Sequence, residues 1–454
     1  MLQLFDTASQ ITKELSLRKP GVVGLYVCGP TVYGPAHVGH GRAVLTYDIL
    51  RRYLEFSGFE VQHVSNITDI DDKIILRANA EGRSWQEVAR ECEEEWWATM
   101  DAMGVLRPVE QPHATAYVEQ MVELIEHLIE RGFAYQTVDG VYLKAALVPD
   151  YGLLSHQSIE DRRSGARVEM DEHKEDPIDF VLWKFAKPGE PTWPSPWGAG
   201  RPGWHTECVV MSLALLGEGF ELHGGGQDLI FPHHDNERAQ AVAVGSRFAR
   251  HWMHNGMVTV AGEKMSKSLN NFTTLNELLE HTDARSYRLL VLRAHYRSPL
   301  EVNATTIEAS AAALTRIDAL IRRLDGSEVS RGEIATALST ELRDRFVAAM
   351  DNDLDTPAAV AEIFEAVRRA NSLADAGDVS LAARLSEEIA TLLGALGIEV
   401  HQARKIDDEV RSLVEQRDSA RGNRDYSTSD KIREELENLG WVVEDTAEGT
   451  RIHR

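Results

Sequence analysis

Residues Val22–Val27 form an apolar run broken only by Gly24, short enough to be a buried strand. A turn rich in Gly and Pro follows, Gly29-Pro-Thr-Val-Tyr-Gly-Pro35. Ala43–Phe56 then repeats apolar residues every three or four positions (Val44, Tyr47, Ile49, Leu50, Tyr53, Leu54), predicting a helix, and Val61–Val64 predicts a second strand. Residues 1–20 are polar and read as a leading strand or arm. From 81 to 135 the periodicity is helical over Trp85–Met103 and Tyr117–Phe133, and Gly140–Lys144 and Phe180–Lys184 read as strands. Between them, 149–175 is polar and loop-like. Pro191–Trp204 is a Pro/Gly/Trp-rich loop, and helices are expected around Ala284–Arg293. Residues 304–397 are rich in Ala, Leu, Arg and Glu with helical spacing, predicting a bundle, with Asp351–Pro357 capping one helix. A helix over 401–420, a second starting near Ser429 or Asp430, and an alternating hairpin from Gly440 complete the chain.

The predicted architecture is α/β. A Rossmann-like parallel-sheet domain spans 1–110 and 201–250, its two halves split by an insertion at 111–200. Residues 251–303 follow, then a helical bundle at 304–400 and a small α/β domain at 401–454. No apolar run among the 454 residues approaches the length of a membrane span, and no secretory signal is visible at the start. Three cysteines, Cys28, Cys92 and Cys208, are too few and scattered for a disulfide framework, which fits a reducing cytoplasm. Cys92 lies on a helix face and is assigned to packing. The net charge of −24 argues against a nucleic-acid partner. Residues 246–300, however, carry eight basic against four acidic residues. That local excess is either a positive face or a chance fluctuation.

Three clusters carry candidate chemistry. His37-Val-Gly-His40 sits at the strand-to-helix turn, where open α/β sheets place ligands and helix amides face anions. Asn66-Ile-Thr-Asp-Ile-Asp-Asp-Lys73 is an acidic loop at the second strand's end, equally readable as a helix cap. Gly203-Trp-His-Thr-Glu-Cys208 and Phe231-Pro-His-His-Asp-Asn-Glu237 bring cysteine, histidine and carboxylate together in sequence. After Pro232, His233 and Glu237 would share one face of a helix. Cys28, Cys208, His233 and Glu237 could form a four-ligand zinc site from three strand ends. Spacing alone does not join Cys28 to Cys208, and a core histidine with an ordinary i,i+4 pair accounts for the same residues.

His37-Val-Gly-His40 resembles the HIGH signature of class I aminoacyl-tRNA synthetases. Lys264-Met-Ser-Lys-Ser268, about 220 residues later, matches their KMSKS signature. The stretch from Leu25 to His40 is most similar to the cysteinyl-tRNA synthetase family, and the resemblance spans essentially the whole chain. It implies that Cys28, Cys208, His233 and Glu237 bind one zinc ion that selects the substrate thiol. Packing alone would separate cysteine from serine or alanine by only about 1–3 kcal/mol. It further implies ATP binding by His37, Gly39, His40 and Lys267, with Mg²⁺ accompanying ATP. His37, His40, Lys264 and Lys267 stabilise the polyphosphate in catalysis. Thr68, Trp204, His205 and His234 line the L-cysteine pocket, with His223 a further wall candidate. The acceptor is tRNA(Cys), read by the 401–454 domain, where Trp441 either stacks a base or, preferably, fills the small core. A cytoplasmic monomer without membrane contact is expected. Two departures are Asn270 and Gly34, where the family often has Gly and a bulkier or acidic residue; Asn270 bears on loop mobility. Two other readings share these motifs: the related cysteine ligase of mycothiol synthesis, with an amino-sugar acceptor, and a non-catalytic zinc-containing RNA-binding protein. The first needs no anticodon reader, and intact HVGH and KMSKS disfavour the second.

Overall fold

The computed structural model describes residues 2–160, 173–259, 274–400, 408–439, 441–446 and 449–453. The chain divides into two units. The first is Met1–Leu314 with Thr340–Phe364 and Leu392–Ile398; the second is Thr315–Ser339 with Glu365–Thr391 and Glu399–Arg454.

The first unit begins with an antiparallel hairpin of β1 (Gln3–Asp6) and β2 (Ile11–Glu14), where one leading strand or arm is expected. The apolar run is β3 (Val22–Val27), and the next strand is β4 (Glu60–Ser65). Helix α1 (Val38–Phe56) joins them and starts five residues before its periodicity becomes visible. The reason is local, because His37 is its N-cap. Helices α2 (Asp72–Glu81) and α3 (Trp85–Ala102) follow, and α3 buries Cys92 against Val32, Ile67 and Ile74. After α4 (Val118–Glu130) come β5 (Ala134–Gln136), β6 (Gly140–Leu143), β7 (Phe180–Phe185) and β8 (Gly200–Pro202). These pair antiparallel in sequence order as a separate sheet. Its core includes Ile125, Leu128, Leu143, Leu182 and Trp183. The end of the Pro/Gly/Trp stretch is thus strand β8 rather than loop.

Helix α5 (Trp204–Leu216), β9 (Leu222–Gly226), α6 (Asp235–Ala243) and β10 (His251–Asn255) return the chain to the first sheet. That sheet is parallel throughout, in the order β10-β9-β3-β4. Its central strand β3 is buried over five of six residues, as strands covered on both faces must be. A short parallel pair, β11 (Val258–Thr259) and β12 (Leu300–Glu301), flanks α7 (Leu275–Leu279) and α8 (Ala284–Leu292). Two buried arginines tie these pieces together. Arg42 on α1 donates to the carbonyls of Met257 (2.8 Å) and Tyr296 (3.0 Å). Arg288 on α8 donates to the Asp48 carboxylate of α1 at 2.5 Å, and that carboxylate also takes Arg52 Nε (2.8 Å) and the Leu106 amide (2.9 Å).

Helices α9 (Ala304–Leu324), α10 (Glu333–Asp351), α11 (Thr356–Asp375) and α12 (Val379–Ala395) occupy the predicted bundle region. Asp355 caps α11 through the Ala358 amide at 3.1 Å. In the second unit α13 (Asp408–Gly422), α14 (Tyr426–Asn438) and the antiparallel hairpin β13 (Val442–Thr446)–β14 (Gly449–His453) enclose Val410, Ile432, Leu436, Trp441 and Val443. Trp441 therefore fills a core. Helix α14 starts earlier than expected, because Asp425 is its N-cap and accepts the Thr428 amide at 3.2 Å.

Asp48 and Arg288 are nearly inaccessible to solvent. Asp48→Ala leaves a buried guanidinium without its carboxylate and is expected to destabilise the first unit by about 3–5 kcal/mol, read as a lowered urea midpoint. Burial would raise the Asp48 pKa, but Arg288 and Arg52 hold it below the ordinary 3.8. The contribution is therefore present above that value and is lost as pH falls through the lowered one.

Candidate active site and metal centre

The site lies at the C-terminal ends of β3 and β9. Cys28 directly follows β3, and its amide donates to the Gly224 carbonyl of β9 (3.2 Å). The next residue has to be glycine. A Cβ on Gly29 would stand 1.6 Å from the Asn66 carbonyl oxygen, and the Gly29 amide donates to Asn66 Oδ1 at 2.9 Å. This close crossing of the ends of β3 and β4 sets Asn66 against the Cys28–Gly29 turn and pairs Thr68 with Thr31. Gly224 meets the same kind of limit, since a Cβ there would lie 2.3 Å from the Tyr47 ring. Tyr47 in turn donates its hydroxyl to the carbonyls of Gly225 and Met253 (2.8 Å each).

Four predicted donors converge. Cys28 Sγ lies 3.8 Å from Cys208 Sγ and 3.4 Å from Glu237 Oε1. His233 Nε2 lies 3.7 Å from Cys208 Sγ and 2.9 Å from Glu237 Oε1. Tetrahedral zinc, with Zn–S about 2.3 Å and Zn–N or Zn–O about 2.0–2.1 Å, spaces two sulfurs about 3.8 Å apart and sulfur from nitrogen or oxygen about 3.5 Å. The donor set fits such an ion: all four donor atoms lie within 4.8 Å of one another, and of these four distances the His233–Glu237 one is tighter than the ideal. Cys208 is carried by the first turns of α5 rather than by a strand end, and His233 by the wide turn Ile230–His234 that leads into α6. A second cation-sized set reuses Cys28 and Glu237 with His223 and His234. The two-thiolate set suits a borderline-soft ion better.

The surrounding groups orient the donors. His205 Nδ1 lies 2.8 Å from His233 Nδ1, which leaves Nε2 of His233 facing the cluster. Trp204 stacks on His233 at 4.1 Å and stays 40% exposed, so it forms the open wall of the site. His223 Nε2 engages Glu237 Oε2 at 2.7 Å. His234 Nε2 lies 3.3 Å from Cys28 Sγ, and its Nδ1 is 2.7 Å from His254, which reaches Thr7 Oγ1 at 2.7 Å. Thr68 Oγ1 sits 2.8 Å from Glu207 Oε2 and 3.2 Å from Asn66 Nδ2, all buried. Sequence reasoning missed His254, Thr7 and Glu207. His254 lies in the buried strand His251-Trp-Met-His-Asn, whose spacing carries no ligand signal.

The electrostatics favour a cation. Burial would raise the Glu237 pKa, but the His223 and His233 rings hold it well below the usual carboxylate range. The Cys28–Cys208 contact brings Cys208 down to about 6, while burial pushes Cys28 up. Burial opposes a charged His233, yet Glu237 and Cys208 push it up to about 10. His205 and His234 are driven well down by burial and stay neutral.

At the neighbouring turn, His37 Nδ1 accepts the His40 amide and His40 Nδ1 accepts the His37 amide, both at 3.2 Å. This is a capping box built from two imidazoles, and the rings stack at 3.6 Å. Burial, with His37 and Lys73 nearby, lowers His40 to about 4, and burial lowers His37. With Nδ1 accepting, each neutral ring carries its proton on Nε2 and can donate it outward. A Cβ on Gly39 would meet the His37 ring at 3.0 Å. Lys264, Lys267 and Asn270 lie outside the described residues. The stretch that carries them rejoins at Thr274, which pairs with His37, and the Leu275 amide donates to Ala36 (2.8 Å).

Residues 14–312 match the family model for the class I (C) tRNA synthetase catalytic domain, 345–401 a DALR domain, and 403–453 the cysteinyl-tRNA ligase anticodon binding domain. The chain is 42% identical to the cysteine–tRNA ligase of Caldicellulosiruptor saccharolyticus over 464 aligned positions, covering 100% of both. It is 43% identical to that of Thermotoga maritima, covering 99% of both. A methionyl-tRNA synthetase of Mycobacterium tuberculosis in complex with methionyl-adenylate shares the fold, with TM-score 0.65 and 15% identity over 83% of this chain and 91% of that one. The chain belongs to the cysteine–tRNA ligases, class I aminoacyl-tRNA synthetases that join cysteine to tRNA.

Proposed function

We propose that Cys28, Cys208, His233 and Glu237 hold one zinc ion and that the ligase selects L-cysteine through it. Bound there, zinc would take the substrate sulfur as thiolate, a bond that the oxygen of serine forms poorly. The observation that carries this reading is the spacing of the four donors around a cation-sized centre. Thr68 holds the amino-acid backbone of the substrate, with Glu207 and Asn66 fixing its hydroxyl. Trp204 closes the open side. His205 and His234 keep His233 and Cys28 in place, because groups behind metal ligands set ring orientation.

ATP, with Mg²⁺, lies along the His37–His40 turn. The cysteine carboxylate attacks the α-phosphate, giving cysteinyl-adenylate and pyrophosphate, and the cysteinyl group then passes to the terminal ribose of tRNA(Cys). His37 and His40 donate Nε2 protons to phosphate oxygens, with Gly39 keeping the helix start open to the ligand. Lys264 and Lys267 neutralise charge that develops on the leaving pyrophosphate. No side-chain nucleophile is used; positioning and fixed dipoles lower the barrier. The domain boundaries given above, a monomeric state and a cytoplasmic setting belong to the same reading. Among the described residues no helix is long and apolar enough to cross a membrane. The match of residues 403–453 to an anticodon binding domain favours a tRNA acceptor over an amino sugar.

Cysteine-dependent exchange of pyrophosphate into ATP, with serine as control and with zinc measured by elemental analysis, tests the selection step. Cys208→Ala is expected to lose zinc and to abolish cysteine activation; retained zinc and retained selectivity would overturn the assignment. His205→Ala should weaken zinc binding about 10–100-fold while leaving the fold intact. Thr68→Val should raise the KM for cysteine about tenfold, corresponding to about 1.4 kcal/mol for a lost hydrogen bond, with zinc content unchanged. For His40, a folded pKa below the ordinary 6.5 means that its stabilisation is present above pH 6.5 and is lost between there and about 4. The proton NMR titration of its ring should therefore show a midpoint near 4.

A further inference from the structure

At the opposite end of the parallel sheet a second cavity opens, lined by the loops that lead into β9 and β10. Its volume is about 590 Å³, within the range of small-ligand pockets. A layer of rings separates it from the metal centre: Trp252, part of its lining, stacks on His223 at 4.6 Å, and His223 holds Glu237 at 2.7 Å. Three arginines line it, Arg238, Arg247 and Arg250, with Ser16 and Ser246 and an apolar floor that includes Trp252. No acidic residue lines it.

The arginines are held but not neutralised. Arg250 donates Nε to the Gly219 carbonyl at 2.8 Å and Nη1 to Ser16 Oγ at 3.3 Å. Arg238 donates Nη1 to the Asp150 carbonyl at 3.1 Å. Among the described residues neither has a carboxylate at ion-pairing distance, and only the more distant Asp150 and Asp235 charges act on Arg238. Arg247 has only Glu218, at 3.9 Å and with both side chains largely in solvent. Other arginines of this chain behave differently: Arg18, Arg52, Arg77 and Arg288 each lie against a carboxylate at 2.9 Å or less. In a protein with 24 excess negative charges, this cavity is lined by three arginines and by no acidic residue. The nearest backbone contacts fix two of the guanidiniums and leave their remaining N–H groups for a ligand. A planar guanidinium presents paired donors that match the oxygens of a phosphate.

We propose that this cavity is a binding site for a small phosphorylated anion, a diphosphate or the phosphate chain of a nucleotide, separate from the ATP site. Three positive charges match the two to three negative charges of a diphosphate group, and the buried Trp252 is part of the lining.

The probe is inorganic pyrophosphate, titrated calorimetrically into the full-length protein at low ionic strength. Arg247 and Arg250 are exposed, so Arg247→Gln/Arg250→Gln should fold normally and retain cysteine-dependent pyrophosphate exchange. The wild type is expected to bind one more equivalent of pyrophosphate than the double variant, or to bind that equivalent at least tenfold more tightly. The Arg247→Glu/Arg250→Glu variant should abolish that equivalent. Equal stoichiometry and affinity in wild type and variants would overturn the proposal. Unchanged pyrophosphate binding with a raised KM for tRNA would also overturn it, because the arginines would then contact an RNA backbone.

Discussion

A carboxylate removed from water must be compensated, and Glu237 is completely buried. Both of its oxygens are engaged, Oε2 by His223 and Oε1 by His233 with Cys28 close by. That requirement propagates outward. His223 stacks on Trp252 of β10 at 4.6 Å, His233 is backed by His205 and Trp204, and Cys28 faces His234, itself held through His254 to Thr7 on the loop after β1. One buried charge thus ties together β3, β9, β10, α5 and α6. The set of two thiols, one carboxylate and one imidazole keeps its geometry because Glu237, His233 and Cys28 each have a partner behind them. A divalent ion would replace the proton that these neighbours hold on His233.

The sheet must bring its strand ends very close for this network to exist, and backbone space decides where that can happen. Asn66 both receives the Gly29 amide and reaches Thr68, so the contact between the ends of β3 and β4 also fixes the Thr68 hydroxyl. On the other side, the Tyr47 hydroxyl joins carbonyls of β9 and β10 from beneath, and the ring occupies the space that a side chain at 224 would fill. The Gly224-Gly-Gly226 run is therefore a packing requirement of the site and not a loop signal.

Much of this could be read from residues alone, and the limits have physical causes. Strand β3, helix α1, the tail hairpin and the core role of Trp441 follow from periodicity and turn chemistry, which are local. The four donors could be named, but their meeting could not be derived from spacing, because Cys28 and Cys208 are joined only by the parallel pairing of β3 with β9 and by the packing of α5. Their grouping came from family resemblance. His254, Thr7 and Glu207 escaped notice because buried polar partners on apolar elements leave no pattern along the chain; only tertiary contact reveals them. The starts of α1 and α14 were misplaced for the opposite reason. Both are set by caps, His37 and Asp425, which lie outside the apolar repeat.

The His37–His40 turn shows why a signature can be more than a set of ligands. In most helices an N-cap hydroxyl or carboxylate satisfies the first amides. A carboxylate here would repel a polyphosphate, and a hydroxyl would end too short to donate outward while accepting inward. An imidazole has two nitrogens on opposite sides of a rigid ring. Nδ1 can close the cap while Nε2 points away with a proton, provided that the ring stays neutral. Partial burial and the nearby Lys73 keep His40 in that state. The helix start, its positive dipole end and two outward N–H donors are therefore one construction. Substituting either histidine would remove a cap and an outward N–H donor together, so the folding role of this turn and the phosphate-binding role proposed for it cannot be varied independently.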